Sequence, residues 1–502
     1  MTKSVVIIGG GLGGLFTGAL LAREGLKVTV LEKNATIGGG LQTFMRFGES
    51  FDTGMHVFGG LQPGGNIRRI CSYLGIFDKI AYRDVDEDCA DSLYFAEDDA
   101  HYEVAKGREG FAASFARYFP QEKENLKRYV DAIYNISGKV DLFNLRPSPV
   151  QFSILTENED FLMSASDFIA KYIKDEKLRA ILAYLNPLYG GREGKTPAYI
   201  HSIISTLYMN GASRFVGGSS RFAELLAGVI KDAGGCVKTS EGAEWLEVEN
   251  REVKHVRSTK GNIYVADYYV GAIHPCTLLG LLDQKEFPKA YRDRLNSIPN
   301  AYSAFILNIK LKPDSFPYIN HTEFYMTRYA DIWNCGSSLG WPLGFLFMTP
   351  PEDNQGEFTN KVIITAPMPY VMVKKWENTK VGKRGAEYEA WKEKNAELIL
   401  KCVEKIHPGF KECIETINTA SPLTIRDFYG TKEGTLYGFS KDCNNIALSQ
   451  VPVGTKVKNL FLTGQNVNLH GFCGVPLTAI NTAEAILGLN HVINRINECE
   501  KQ

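Results

Sequence analysis

A chain of 502 residues exceeds what one hydrophobic core organises, so two or three domains are expected, interleaved or in series. Its 56 Lys and Arg offset 57 Asp and Glu. No net field therefore draws it to nucleic acid or acidic polymers, and the expected partner is small or apolar. Ten cysteines, at 71, 89, 236, 276, 335, 402, 413, 443, 473 and 499, form no C-x-x-C pair and no zinc-ligand spacing, which fits a reducing cytoplasm and no metal site.

The apolar run over 5–22 contains glycines and passes directly into KVTVLE, so it reads as the start of a fold and not as a signal peptide or a membrane span. Strand, helix and strand are predicted over 4–8, 12–24 and 27–32, with Gly25 ending the helix. Gly9, Gly11 and Gly14 supply G-x-G-x-x-G between the first strand and the helix, with Leu12 and Gly13 on the same turn. In that context the first glycine permits a tight turn and the second lets backbone approach a pyrophosphate. The third lets helix and strand pack closely, and the helix N-terminus faces the phosphate charge. Glu32, at the end of the second strand, can accept hydrogen bonds from ribose hydroxyls and would repel a 2′-phosphate, and Lys33 is its neighbour. The bland alternative is a glycine-rich turn beside a surface glutamate. Taken alone, these residues indicate a dinucleotide without separating FAD from NAD.

Residues 61–145 read as helical and charged, and 164–208 as a second helical stretch rich in aromatics. A helix over 222–230, a short strand over 236–238 and paired strands with turns at Asn250 and Gly261 come next. The aromatic, strand-like block 303–373 suggests a mixed sheet roofing a cavity, succeeded by an amphipathic helix over 387–407. A last buried strand is predicted in 459–464 and one closing helix over 479–499.

The stretch beyond Glu32 carries a resemblance. Gly38-Gly39-Gly40, with Gln42 and Thr43, precedes Asp52-Thr53-Gly54-Met55-His56. Val216-Gly217-Gly218-Ser219 leads into a helix, and Ser421-Pro422-Leu423-Thr424 and Tyr437-Gly438 precede Leu462-Thr463-Gly464-Gln465-Asn466 and Gly471…Gly474-Val475-Pro476. Together these segments resemble the flavin-containing amine oxidoreductase superfamily, and within it the branch of phytoene desaturases, carotenoid isomerases and retinol saturases. The resemblance implies FAD held by Gly9, Gly11, Leu12, Gly13, Gly14, Glu32, Lys33, Gly38, Gly39, Gly40, Gln42 and Thr43. It further implies Trp245 against the adenine, with Gly464, Gln465, Gly474, Val475 and Pro476 near the ribityl chain and ring. Two departures stand out: Gly40 replaces the arginine of Gly-Gly-Arg, and Gln465 replaces an acidic residue, both of which weaken an amine-oxidase reading.

The fold class implied is α/β, a Rossmann-like FAD domain (1–60, 214–297 and 421–502) interleaved with an α+β substrate domain (61–213 and 298–420) that has a mixed sheet and a helical insertion. The activity implied is redox chemistry on carbon–carbon double bonds of an apolar polyene or isoprenoid, saturase-like in first place. The alternatives are an amine oxidase and a non-catalytic isoprenoid carrier of the same fold. His56 is the candidate catalytic group, a proton donor or orienting residue, and His470 a second candidate of the same kind; a histidine hydrogen-bonded in the cleft wall is the plainer reading of each. Cys473 is expected to be a packing thiol. Tyr184 to Tyr189, Phe324 to Tyr329 and Leu343 to Phe347 are candidate tunnel walls, although aromatic strands are more often core. With no second G-x-G-x-x-G, electrons are expected to pass to an external carrier or oxygen. The lysine-rich 371–384 could mark a peripheral membrane contact, although a solvated surface loop is the plainer reading.

Overall fold

The computed structural model describes residues 2–150 and 159–500. The segment 151–158, which precedes the second helical stretch, lies outside the described residues.

A five-stranded, wholly parallel sheet forms the nucleotide-binding half, in the order Cys236–Lys238, Lys27–Leu31, Ser4–Ile8, Tyr268–Gly271, Leu460–Leu462. Its strands come from three distant stretches of sequence. They are near-continuous runs of Val, Ile and Leu because helices cover the sheet. The helix Leu12–Arg23 is buried from Gly13 to Ala22, packed among that sheet, the helix Ser220–Asp232 and the helix Gly471–Leu487. It therefore has no polar stripe, which explains why its sequence could pass for a spanning segment. Among the described residues no single helix is long and apolar enough to cross a membrane.

The second half is a seven-stranded mixed sheet ordered Ile414–Ala420, Ser303–Leu311, Lys361–Met368, Gly344–Met348, Thr322–Met326, Asp91–Phe95, Ala100–Val104. Alternation sorts its side chains. Phe305, Leu307, Phe345, Phe347, Ile364 and Ala366 join one core with Ile399, Leu400 and Val403 of the covering helix Ala386–Ile406. Ile306, Leu346, Met348, Thr365 and Pro367 point the other way, into a cavity.

Two expectations need correction. The stretch 61–145 is not helical throughout: Tyr82–Asp84, Asp91–Phe95 and Ala100–Val104 are strands. The last two form a hairpin joined to the mixed sheet by parallel pairing of Asp91–Phe95 with Thr322–Met326, a partner more than two hundred residues away. Charged residues around the hairpin obscured its period of two. The closing helix is also two helices, Gly471–Leu487 and His491–Cys499, meeting at 118°. Gly488 and Asn490 have positive φ, 115° and 63°, and neither continues a right-handed helix.

Candidate functional site

Three glycine segments converge at the C-terminal end of the parallel sheet. Gly9 turns with φ 109°, where a side chain would meet Ala272 O at 2.9 Å. A Cβ on Gly14 would fall 1.9 Å from Gly9 O, so the first helix can lie against its strand only without one. The Gly38 N–H donates to Gly10 O at 2.7 Å, zipping the second glycine group to the first, and Gly39 lies against Gly11. From the far end of the chain Gly464 closes on Gly13, where a Cβ would come within 2.9 Å of Gly464 Cα and 3.4 Å of Val475. The Thr17 and Thr463 hydroxyls, 2.9 Å apart, fasten the same junction. A cradle this free of side chains, at a helix N-terminus, fits a pyrophosphate approached by backbone N–H groups.

Glu32 is buried at the rim of the cradle. Its Oε2 accepts from the Gly10 N–H and its Oε1 from the Asn34 N–H, both at 2.8 Å, which fixes the carboxylate at the end of its strand. Lys33 packs on Gly242 and reaches toward Gly430. Gln42 is tied by its amide to Thr36 O at 2.8 Å, and the Thr43 hydroxyl meets that of Ser220 at 3.0 Å. Gly40 and Gly54 leave room for the Tyr429 ring. Trp245 stands apart, on a separate three-stranded sheet with its indole N–H donating to Glu247 at 3.1 Å. That sheet meets the cradle through Gly242 and Lys33.

Asp52, part of the motif but without an assigned role, is structural. Its Oδ1 accepts from both the N–H and the hydroxyl of Ser219 at 2.7 Å, joining the Asp52–His56 element to the Val216–Ser219 element. Burial raises its pKa, opposed by those two hydrogen bonds.

The cavity lies where His56 and His470 come together. Its floor is Gly54 to Gly59 and the start of the last long helix, His470 to Cys473; its roof is the inward face of the mixed sheet, closed at the side by Pro187, Leu188, Tyr208 and Tyr437. Of the three aromatic stretches expected to wall it, Pro187, Leu188 and Leu346 do so. Phe345 and Phe347 face the covering helix, Tyr184 donates to Asp91, and the Tyr189 hydroxyl meets His201, so the aromatics are mainly core.

Among the described residues, neither ring nitrogen of His56 or of His470, all of them buried, has a hydrogen-bond partner. Burial lowers the His56 pKa to about 4, helped by the charge of Arg214, and lowers His470 to about 3, helped by Lys441. Both imidazoles are therefore neutral at physiological pH. Four unpaired nitrogens at one apolar cavity are polar atoms awaiting a ligand. Arg214 is fully buried, has no carboxylate ion-pair partner among the described residues, and donates to Ile319 O, Thr349 O and Thr322 Oγ1. Cys473 is a packed thiol 3.3 Å from Asn66 Oδ1, and burial pushes it up to about 12. Gly474 packs on Leu469, and Pro476 is buried inside the helix that begins at Gly471. Gln465 is half-buried beside Gly464. Among the described residues no cluster of His, Cys, Asp or Glu could hold a metal ion.

Sequence reasoning missed Tyr208, Ile306, Thr365, Arg214 and Lys441. Tyr437 was signalled by its place in the Tyr437-Gly438 block, and His56, His470, Pro187, Leu188 and Leu346 were signalled as well.

The parallel sheet, the glycine cradle and the acid at its rim define a dinucleotide-binding protein of Rossmann type. Residues 7–74 match the NAD(P)-binding Rossmann-like domain. Over 97% of its length the chain is 26% identical to all-trans-retinol 13,14-reductase of Homo sapiens, 86% of which is covered. It is also 26% identical to chloroplastic prolycopene isomerase of Daucus carota, over 86% of this chain and 71% of that one. The cyclohexylamine oxidase of Brevibacterium oxydans shares the fold, with a TM-score of 0.62 at 14% identity over 100% of both chains. The resemblance to the desaturase, isomerase and saturase branch is thus borne out by these relatives, which are named as a reductase and an isomerase.

Proposed function

We propose that this chain is an FAD-dependent oxidoreductase acting on carbon–carbon double bonds of a lipophilic polyene or isoprenoid, with reduction of the retinol-saturase kind as the first choice. The observation that carries the reading is the cavity: apolar side chains from the mixed sheet enclose it on one side, and the glycine-rich C-terminal motif and the His56 element bound it on the other.

When bound, FAD supplies hydride exchange with the substrate carbon. Gly9, Gly11, Leu12, Gly13 and Gly14 with Gly38, Gly39 and Gly40 hold the pyrophosphate by backbone. Glu32 would accept from the adenosine ribose, and Lys33, Gln42 and Thr43 would border that half, with Trp245 outside it on its own sheet. Gly464, Gln465, Gly474, Val475 and Pro476 border the other, where the N-terminus of the helix Gly471–Leu487 turns its positive end toward the cavity. Ile306, Leu346 and Met348 exclude water and align an extended apolar chain. His56 acts as a neutral imidazole that orients a polar group by hydrogen bonding. Donation as an imidazolium would require a charge that its burial disfavours. His470 plays the same part more weakly.

Electrons exchange with an external carrier or oxygen. In the cytoplasm, a peripheral membrane contact is supported by Val371 and Val381, which are 64% and 53% exposed in the same stretch of chain as Lys374 and Lys375. The test is anaerobic photoreduction of the holoprotein and then addition of lipophilic polyenes. Reoxidation without oxygen supports the reading; peroxide release with amines and silence with polyenes overturns it in favour of an amine oxidase.

A further inference from the structure

Reduction of a carbon–carbon double bond adds a hydride to one carbon and a proton to the other. The two histidines at the cavity are held neutral, at about 4 and about 3, so the proton needs another source. A buried carboxyl lies on the cavity side of the mixed sheet. There Leu93 and Phe95 pack in one core with Phe324, Met326, Leu346 and Met348, while Tyr94 and Tyr325 face the covering helix. Alternation puts Asp91 on the same face as Leu93, and it is only 4% exposed. The Tyr184 hydroxyl donates to its Oδ2 at 2.8 Å.

Two positive groups stand near this carboxyl. Arg214 donates at 3.3 Å to Thr322 Oγ1, and Thr322 is the residue paired with Asp91 across the two strands. His321, with 23% of its side chain exposed, opens the cluster toward solvent, and Asp86 and Glu323 meet it at 3.9 and 3.8 Å. The Cys89 thiol donates to the Asp91 backbone carbonyl at 3.6 Å. Burial outweighs Tyr184, His321 and Arg214 and raises the Asp91 carboxyl to about 6, close to neutral pH. Tyr208 connects this cluster to the cavity. It lines the cavity, packs against the group of Val57, Val85, Ala90 and Ala212, and donates to Val57 O at 3.2 Å. It interacts electrostatically with Asp91 and Tyr184 behind it and with Tyr437 and Cys473 at the cavity. Burial raises Tyr184 and Tyr208 above the ordinary phenol range, so both keep their protons and can donate.

We propose that Tyr208 donates the proton to the substrate carbon and that Asp91, through Tyr184, is the reservoir that restores it. The Tyr208 O–H bond breaks as the new C–H bond forms, while the hydride and its two electrons reach the other carbon from reduced FAD. Tyr208 regains a proton from Asp91 by way of Tyr184. Asp91 is left as a carboxylate near Arg214 and takes a proton from solvent on the side of His321. Tyr208 is thus the catalytic residue, and Asp91 acts through it. The inference rests on the reductive polyene reading of the cavity and supplies its proton route.

The test uses the holoprotein, photoreduced without oxygen and mixed with all-trans-retinol as the polyene probe. Its rate of reoxidation should fall roughly 50-fold from pH 6 to pH 8, following the protonated fraction of a carboxyl at about 6. The neighbouring imidazoles titrate outside that window: burial holds His56 at about 4 and His470 at about 3, and His321 is raised to about 10, against its burial, by Cys89 and Glu323. Tyr208→Phe should lower the rate about 100-fold while retinol binding to the oxidised protein is unchanged. Asp91→Asn still accepts from Tyr184, so the fold is kept; the rate at pH 6 should fall about tenfold and lose its pH dependence. A readout independent of turnover is the infrared carbonyl stretch of protonated Asp91 in the holoprotein without retinol, which should titrate at about 6 and vanish in Asp91→Asn. A rate independent of pH, a rate unchanged in Tyr208→Phe, or an Asp91 carboxyl that titrates at the ordinary value of about 4 overturns the proton route and leaves the polyene reading standing. Failure of retinol to reoxidise the protein at any pH overturns the reductive reading and the proton route with it.

Discussion

The cradle and the cavity are built in opposite ways. The cradle is made by what is absent: at Gly14 and Gly13 the space is set by backbone, with Gly9 O and Gly464 Cα where a side chain would sit. The cavity is made by what is present, side chains from several strands and helices that meet only after folding. A site formed by backbone should be intolerant of any added atom but indifferent to polarity. A site formed by side chains should tolerate changes of size and respond to changes of polarity.

The sharpest break in that comparison is Gly14→Val. With its Cβ 1.9 Å from Gly9 O the helix must move off the strand, so a loss of about 3 kcal/mol in urea unfolding and complete loss of bound dinucleotide are expected. A variant that keeps its dinucleotide would show that the packing is not as tight as described. Leu346→Gln, next in size, puts an amide in the cavity roof. Polyene turnover should fall roughly 30-fold, about 2 kcal/mol, with the dinucleotide retained.

A pH experiment bears on the two histidines. Burial holds them at about 4 and about 3 in the folded protein, below the ordinary histidine value, so between those values and about 6.5 the unfolded chain binds more protons. Stability is then complete above about pH 6.5 and is lost as the pH falls toward 4. Comparing urea midpoints at pH 7 and pH 5, His56→Gln should remove about 1–2 kcal/mol of that acid loss. An unchanged pH dependence would mean that His56 is solvated. The smallest effect belongs to Trp245→Ala: with the indole engaged by Glu247 on its own strand, dinucleotide affinity should change by about twofold or less, below about 0.5 kcal/mol. A loss of tenfold or more would put the ring on the adenine.

The same contrast explains what could be read in the sequence. Gly9, Gly14 and Glu32 are legible because their roles are local, set by one turn and one strand end. The pairing of Gly464 with Gly13 became legible only by family resemblance, since the two lie some 450 residues apart in the chain. The cavity was readable in kind but not in detail. Alternation sends Phe345 and Phe347 to the covering helix and Leu346 to the cavity, and the sequence does not mark which face of that strand is roofed. The hairpin Asp91–Phe95 and Ala100–Val104 was hidden for a related reason, because its partner strand is remote. Arg214 and Lys441 gave no signal, since a buried cation reads like a surface one until its surroundings are known.

The absorbance spectrum of the purified protein, taken together with its FAD content after denaturation, decides whether the glycine cradle holds a flavin. The expected result is a yellow protein with one FAD per chain, lost in Gly14→Val and kept in Leu346→Gln. A colourless protein that cannot be reconstituted with FAD would mean that the cradle binds no flavin and that the chain is not a flavoenzyme.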